Sequence, residues 1–440
     1  MDLLIAFLIF SATMVAGLVI SPDYGMLFAL AIGAVCFYAV ARHRNFQSRD
    51  LFRMMFKGIK RSMIVLRIFL LIGFLTALWR ASGTITFFVY HGVRLIPPSL
   101  FLVAGFGLTS LLGYALGTSY GTTGTVGVIL ITLARAGGVP PALMAGAVLS
   151  GAYFGDRTGP ASSCANLVAT VTGTDLYGNL RAMLKSSVVP MAACFGLYGL
   201  LSPRYPLAAG EGGLIALMEQ NFSMSLWCAL PAVIMLVLPL CKVPVRIAMA
   251  ASIAAATGVG LWVQGQSLLQ LLSASLFGYI PSDPQLAEIL SGGGLLSMVK
   301  VAVIVALSST FSGIFEGTRM LENLQDGLNR LADKLSAFGV MLLSSAGITA
   351  VFCNQTIGVM MAQQLLGPVY EKRGLPKEDV AIDIANSMVT LVGLCPWCIA
   401  CAVPLSMLGV GIEALPWAAF LYLLPLWWLV ARGLQARSKH

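Results

Sequence analysis

Long apolar runs alternate with short polar, glycine-rich breaks along the whole chain. Leu3–Ile20, Gly25–Val40 and Phe222–Leu240 are the clearest runs. About 20 apolar residues span a bilayer core, and only helices or closed barrels satisfy their backbone there. Unbroken runs fit helices, not the alternating strands of a barrel. The pattern therefore predicts an all-α polytopic membrane protein. The first run has no basic n-region and no small-residue cleavage pattern, so it reads as an uncleaved span.

Basic residues orient the runs. Arg42 to Arg61 holds seven Lys and Arg, the densest basic stretch, which places it in the cytoplasm. Two spans precede it, so the N-terminus is expected inside. Met63–Trp79 then exits. From Ser99 to Ala134 two short arms flank Gly117-Thr-Ser-Tyr-Gly-Thr-Thr-Gly124, which reads as a re-entrant hairpin entering from outside. Pro141–Thr174 is a crossing broken at Gly155-Asp-Arg-Thr-Gly-Pro160. Asp175–Ser187 is expected in the cytoplasm, and Val188–Leu201 exits.

After an outside loop, Phe222–Leu240 and Ile247–Val263 cross. Gln264–Ser297 is too polar to span and is expected as short interfacial helices. Val299–Phe315 returns inside. Glu316–Lys334 has leucines at helical spacing and reads as an amphipathic helix on the inner face. Ala337–Leu366 forms a second pair of short arms with Cys353-Asn-Gln-Thr356 at the tip, entering from the cytoplasm. Val380–Val410 crosses, broken around Cys395-Pro-Trp397. Pro416–Ala431 returns to a basic inner tail. The sum is about ten crossings and two hairpins, with both termini in the cytoplasm.

Two units share one order: span, hairpin with a polar tip, broken span, span. Ser119 to Pro160 is 41 residues and Asn354 to Pro396 is 42. The hairpins enter from opposite faces, which predicts inverted repeats with substrate and ion sites near the midplane. The expected divisions are N-terminal helices with a basic loop (1–61), a first repeat (62–201), connecting spans (202–298), a second repeat (299–431) and a tail (432–440).

Composition agrees. Of 440 residues, 58% are apolar and 10% charged, against about 25% charged in soluble domains. The net charge of +9 follows from the inner loops and does not indicate nucleic acid. Nine cysteines form no extracellular framework. Cys395-Pro-Trp-Cys398 has dithiol spacing but lies in an apolar span without a βαβ context. The three histidines form no ligand cluster. A nucleophile–base pair or metal motif is missing from the spans, so an enzyme is not expected.

Asp156 is the sharpest candidate for chemistry. An ionisable group between apolar arms costs at least a few kcal/mol unless paired. A buried carboxylate holds its proton more tightly than one in water, and a bound cation releases it, so proton and cation can compete for one site. The alternative is a structural pair with Arg157. Thr118, Ser119, Thr122, Thr123, Thr158, Ser162, Ser163 and Asn166 surround it in sequence with oxygen ligands suited to hard cations. Any one of these hydroxyls could instead bond its own helix. In the second unit the polar set is Asn354, Gln355, Thr356, Asp383, Asn386 and Thr390. Asp383 could equally be a helix-end charge at the inner surface.

The stretches Gly117-Thr-Ser-Tyr-Gly-Thr-Thr-Gly-Thr-Val-Gly127, Ala145-Gly-Ala-Val-Leu-Ser-Gly-Ala-Tyr-Phe-Gly-Asp156 and Thr172-Gly-Thr-Asp-Leu-Tyr177 resemble the NhaC-type sodium/proton antiporter family. The resemblance is dense over residues 100–190 and thinner over 300–410, where Pro396-Trp397 carries it. It implies cation-coupled secondary transport in a bacterial inner membrane, with Na+ and H+ as the exchanged ions and no cofactor. It also implies elevator-like motion and a homodimer. By position, Asp156 would be the central acid, with Ser119, Thr122 and Asn166 lining the cation and proton site.

The chain departs from that pattern. After Pro160 the family has Ser-Asp-Thr-Thr-Asn, where this chain has Ser162-Ser-Cys-Ala-Asn166. An acid before the second break is Asn386 here, and Pro-Trp-Asn is Pro396-Trp-Cys398. A site with fewer carboxylates leaves Arg157 less neutralised and better suits an organic ion. Two functions are therefore expected: Na+/H+ exchange, or Na+- or H+-coupled transport of a small carboxylate or amino acid.

Overall fold

The computed structural model describes residues 2–21, 24–208, 214–318 and 334–437. The expected helix over Glu316–Lys334 lies mostly outside them. The described chain is helical, and the strand-like pairing recorded in it is a lone bridge between Tyr279 and Gly292.

The N-terminal helices are α1 (Asp2–Ile20), α2 (Gly25–His43), α3 (Ser48–Ala81) and α4 (Thr84–Leu95). Next come α5 (Phe101–Leu116), α6 (Ser119–Thr122), a π-helical turn (Thr123–Gly127), α7 (Val128–Ala136), α8 (Pro141–Thr158), α9 (Ser163–Thr172) and α10 (Leu176–Leu201). The connection holds α11 (Leu214–Asn221), α12 (Leu230–Leu240), α13 (Val245–Trp262), α14 (Leu268–Phe277) and α15 (Pro284–Leu290). The last group is α16 (Val299–Thr318), α17 (Ala337–Phe352), α18 (Gln355–Lys372), α19 (Lys377–Asn386), α20 (Met388–Leu391), α21 (Ile399–Leu408) and α22 (Ala419–Arg437).

Among the described residues, five helices are long and apolar enough to cross a membrane, and up to eight spans result if each of three sharply bent pairs is one. The chain is thus a multi-pass α-helical membrane protein. The tally is lower than the number of apolar runs because several runs are broken into pieces shorter than a bilayer. Phe222–Leu240, expected as one span, yields only the 11-residue α12, and its path meets the preceding helix at 100°. Ser223-Met-Ser225 and Pro231 explain the corner, since the proline and hydroxyls there favour a helix start. Elsewhere helices run further than expected. The basic stretch from Ser48 continues into the span as the 34-residue α3, because no proline separates them. Asp175 caps α10, which absorbs most of the segment read as a cytoplasmic connection.

Both polar breaks share one backbone design. α5 ends at Gly117 in the left-handed region (φ 62°), and α17 ends at Cys353 in the same region (φ 54°). In each case the next residue, Thr118 or Asn354, is extended and caps the following helix with its side chain. Gly138 and Gly374, and Gly173 and Gly409, are likewise left-handed pairs. All three pairs have the same offset (353 − 117 = 374 − 138 = 409 − 173). α9 and α21 also match, each ten residues long and entered after a proline-containing break. Side-chain identity across this stretch is confined to a few positions, among them Pro160 and Pro396.

The packing is reciprocal. α9 rests on α18 and α19, while α21 rests on α6, α7 and α8. α5 lies along α8 with backbone contact: a Cβ on Gly155 would sit 1.9 Å from the Gly113 carbonyl carbon. Small residues at such a crossing let two membrane helices touch, and this contact sets the height of the next residue, Asp156. An aromatic cluster of Phe7, Phe10, Phe37, Phe311 and Phe315 joins α1, α2 and α16, and Phe10 meets Trp397 of the second break at 5.7 Å.

Candidate functional site

Asp156 lies in the last turn of α8 and is buried. Ser119 Oγ, at the start of α6, donates to its Oδ2 at 3.4 Å. Ser162 Oγ donates to its backbone carbonyl and accepts from the Cys164 and Ala165 amides, both at 3.1 Å, which starts α9. Gln355, at the start of α18 in the other unit, also partners the Asp156 carboxylate and donates to Cys164 Sγ at 3.3 Å. The acid thus sits where three half-helices begin.

The fourth half-helix, α21, closes the site. Cys398 precedes it, and the Ile399 amide donates to the Cys353 carbonyl at 3.0 Å. Gly117 lies so close to Ser162 that a Cβ there would be 2.5 Å from the Ser162 nitrogen. Each hairpin tip therefore packs on the break of its own broken helix. These contacts give backbone groups at the breaks partners within the protein itself. Cys395 and Cys398 are buried free thiols.

Arg157 does not pair with Asp156. Its Nε donates to the Ala385 carbonyl at 3.0 Å, and Nη1 donates to the Met183 carbonyl at 3.0 Å and Ser187 Oγ at 2.7 Å. Nη2 donates to Ser186 Oγ at 2.7 Å and to Asn386 Oδ1. The guanidinium is buried and its partners are all neutral. The Asn386 Nδ2 is buried without a partner.

The other expected residues divide. Thr122, Thr123 and Thr158 bond carbonyls of their own helices, at 2.9, 2.8 and 2.6 Å. Thr123 Oγ1 also donates to Met407 Sδ at 3.4 Å. Thr118 and Asn354 act as helix caps. Asn166 is exposed and donates to the Ser162 carbonyl at 2.7 Å, away from the carboxylate. Ser163 and Thr356 are exposed. Thr390 bonds the Ser387 carbonyl at 3.0 Å. Ser119, Ser162 and Gln355 are thus the residues brought to Asp156.

Sequence reasoning missed Ser186 and Ser187, which it assigned to a cytoplasmic segment. Met183, Ser186 and Ser187 have the i, i+3, i+4 spacing of one helix face, and that spacing was the available signal. Asp383 is buried rather than a surface charge. It accepts from Tyr370 Oη at 2.7 Å, Trp428 Nε1 at 2.6 Å and Arg432 Nη2 at 2.9 Å.

The Na+/H+ antiporter family model matches residues 2–165 and 151–431, nearly the whole chain. The chain belongs to the Na+/H+ antiporter family. It is 25% identical to the Na+/H+ antiporter NhaC of Alkalihalophilus pseudofirmus over 92% of this chain and 88% of that one. It is 27% identical to the malate-2H+/Na+-lactate antiporter of Bacillus subtilis over 80% and 77%. It is 25% identical to the arginine/ornithine antiporter ArcD of Halobacterium salinarum over 81% and 76%. Membership makes this chain an antiporter-family transporter and not an enzyme.

Proposed function

We propose that the chain exchanges Na+ for H+ at Asp156. The observation that carries this reading is a buried carboxylate, free of any ion pair with its neighbour Arg157, with Ser119 and Gln355 beside it. Protonated, it is a neutral group suited to its surroundings. Ionised, it supplies a hard oxygen ligand, with serine hydroxyl and glutamine amide oxygens nearby. One site that accepts a proton or a cation, but not both, couples the two flows.

The reading includes inverted repeats, about ten crossings and two hairpins. The constant offset of the three left-handed pairs and the reciprocal seats of α9 and α21 support it. It also includes an elevator-like motion, a homodimer in a bacterial inner membrane, and both termini in the cytoplasm. Crosslinking in native membranes and cysteine labelling from each side test the last two.

A second reading is Na+- or H+-coupled movement of a small carboxylate or amino acid. Arg157 has only neutral partners, and half-helix N-termini converge at its chain neighbour Asp156. Both features favour negative charge, and two of the relatives are named as antiporters of organic solutes. The experiment is an imposed Na+ gradient on proteoliposomes with internal pH followed and no organic solute present. A pH change supports the first reading. Its absence, reversed by adding lactate, malate or arginine, overturns the first in favour of the second.

A further inference from the structure

A second polar cavity lies apart from Asp156, at the ends of α3, α7 and α21. It has a volume of about 310 Å³, and its lining includes Arg80, Arg135, Ser291, Ser297 and Ser406. Arg80 is in the last turn of α3 and buried; its Nη1 donates to the Thr76 carbonyl of its own helix at 2.7 Å. Its Nε is sealed from solvent and has no hydrogen-bond partner. Arg135 is in the last turn of α7, and its Nη2 donates to the Gly409 carbonyl at 2.7 Å. Neither guanidinium forms an ion pair with a carboxylate among the described residues.

This arrangement is unfavourable by itself. Two cations share one cavity, and a buried unsatisfied donor costs roughly 1–3 kcal/mol. Arginines at helix C-termini gain a little from the helix dipole, but less than that. The wall opposite is held in place. Gly292, Gly293 and Gly294 are all in the positive-φ region, the Gly294 amide donates to the Gly73 carbonyl at 2.9 Å, and a Cβ on Gly293 would lie 2.5 Å from the Ala77 nitrogen. An oxyanion between the arginines removes the repulsion, and the planar guanidinium fork matches a carboxylate. The size fits a small solute.

We propose that this cavity is a binding site for a small free carboxylate. Met407 lines it and also touches Thr123 Oγ1 at 3.4 Å, so one side chain separates it from the polar tip that leads to Ser119. The site is a vestibule on the face that the proposed topology places outside. Its existence does not depend on what Asp156 exchanges.

The test is calorimetric titration of the purified full-length chain in phosphatidylcholine nanodiscs with potassium succinate. One succinate should bind per chain, at least tenfold more weakly to Arg135→Gln, and with unchanged affinity to Asp156→Asn. Arg80→Gln, checked for folding by its unfolding transition, should lose binding as well; Arg135 is only half-buried, so that variant keeps the test alive if Arg80→Gln misfolds. No succinate binding at tens of millimolar, or equal binding to both arginine variants, overturns the proposal. So does binding of potassium phosphate or chloride in place of succinate. Loss of succinate binding on adding phosphatidylglycerol to the nanodisc assigns the site to a lipid headgroup and overturns the free solute.

Discussion

Asp156 and Arg157 are adjacent in the chain, buried together, and turned to different partners. The carboxylate meets Ser119 Oγ at 3.4 Å and Gln355, while the guanidinium reaches Ser186, Ser187 and the carbonyls of Met183 and Ala385. Successive residues on a helix point about 100° apart, so one faces the hairpin tips and the other faces α10 and α19. The acid is thereby left without an ion pair to the arginine. The arginine instead ties three helices together.

Asp156→Asn separates these roles. It keeps the shape of the side chain and removes both the charge and the exchangeable proton. Na+-driven pH change in proteoliposomes is expected to fall to the level of empty vesicles, with the unfolding temperature in detergent unchanged or higher. Full coupled flux in the variant sinks the assignment.

Asn386→Asp addresses the other side of the pair. Asn386 Oδ1 accepts from Arg157, but its Nδ2 is buried with no partner. The substitution replaces that orphaned donor with an acceptor and gives the guanidinium a counter-ion. A buried unsatisfied donor costs about 1–3 kcal/mol, and charge-assisted bonds are roughly twice as strong as neutral ones. The unfolding temperature should rise. A fall shows that the desolvation of a second charge outweighs the pairing.

Much of this was legible in the chain. The polar octet and the Gly155–Pro160 stretch stand out as polar interruptions of apolar runs; the first holds a helix break at Gly117 and Thr118, while α8 runs on through Thr158 and breaks only from Gly159. Asp156, Ser119, Ser162 and Gln355 were named and do meet. Thr122 and Asn166 were also named and do not, because hydroxyl or amide contact with the local helix backbone competes with a distant ligand and spacing cannot tell which wins. Asn386 is a named candidate, but the other partners of Arg157 stay hidden because Met183, Ser186 and Ser187 fall in the segment expected in the cytoplasm. The left-handed Cys353 was not readable either, since that conformation ordinarily advertises itself through glycine.

Gly117 and Gly138 give a controlled comparison of that conformation. Both are left-handed, at φ 62° and 68°. Alanine at Gly138 meets nothing within 4 Å, so its cost is the backbone penalty of about 1–2 kcal/mol alone. Alanine at Gly117 adds a Cβ 2.5 Å from the Ser162 nitrogen and must push the hairpin tip off the break. Gly138→Ala is expected to fold with a modest loss of stability and to transport. Gly117→Ala should lose transport even where it folds. Equal transport by the two variants rules out the tip–break contact as a requirement.

The Asp383 cluster predicts a strong and reversible stability effect. Asp383 has 2% of its side chain exposed and holds Arg432, Tyr370 and Trp428, while Arg432 also bonds Asp379 at 2.9 Å. Removing the arginine leaves a buried carboxylate without its cation, which costs about 3–5 kcal/mol. Removing both charges avoids that penalty. Arg432→Gln should therefore lower the unfolding temperature sharply, and Asp383→Asn added to it should restore much of the loss. The double-mutant cycle measures the difference directly, because residues in one network do not add. Strictly additive losses would mean that Arg432 acts through Asp379 and the packing of its stem on Trp428, whose ring lies 5.0 Å from the guanidinium carbon.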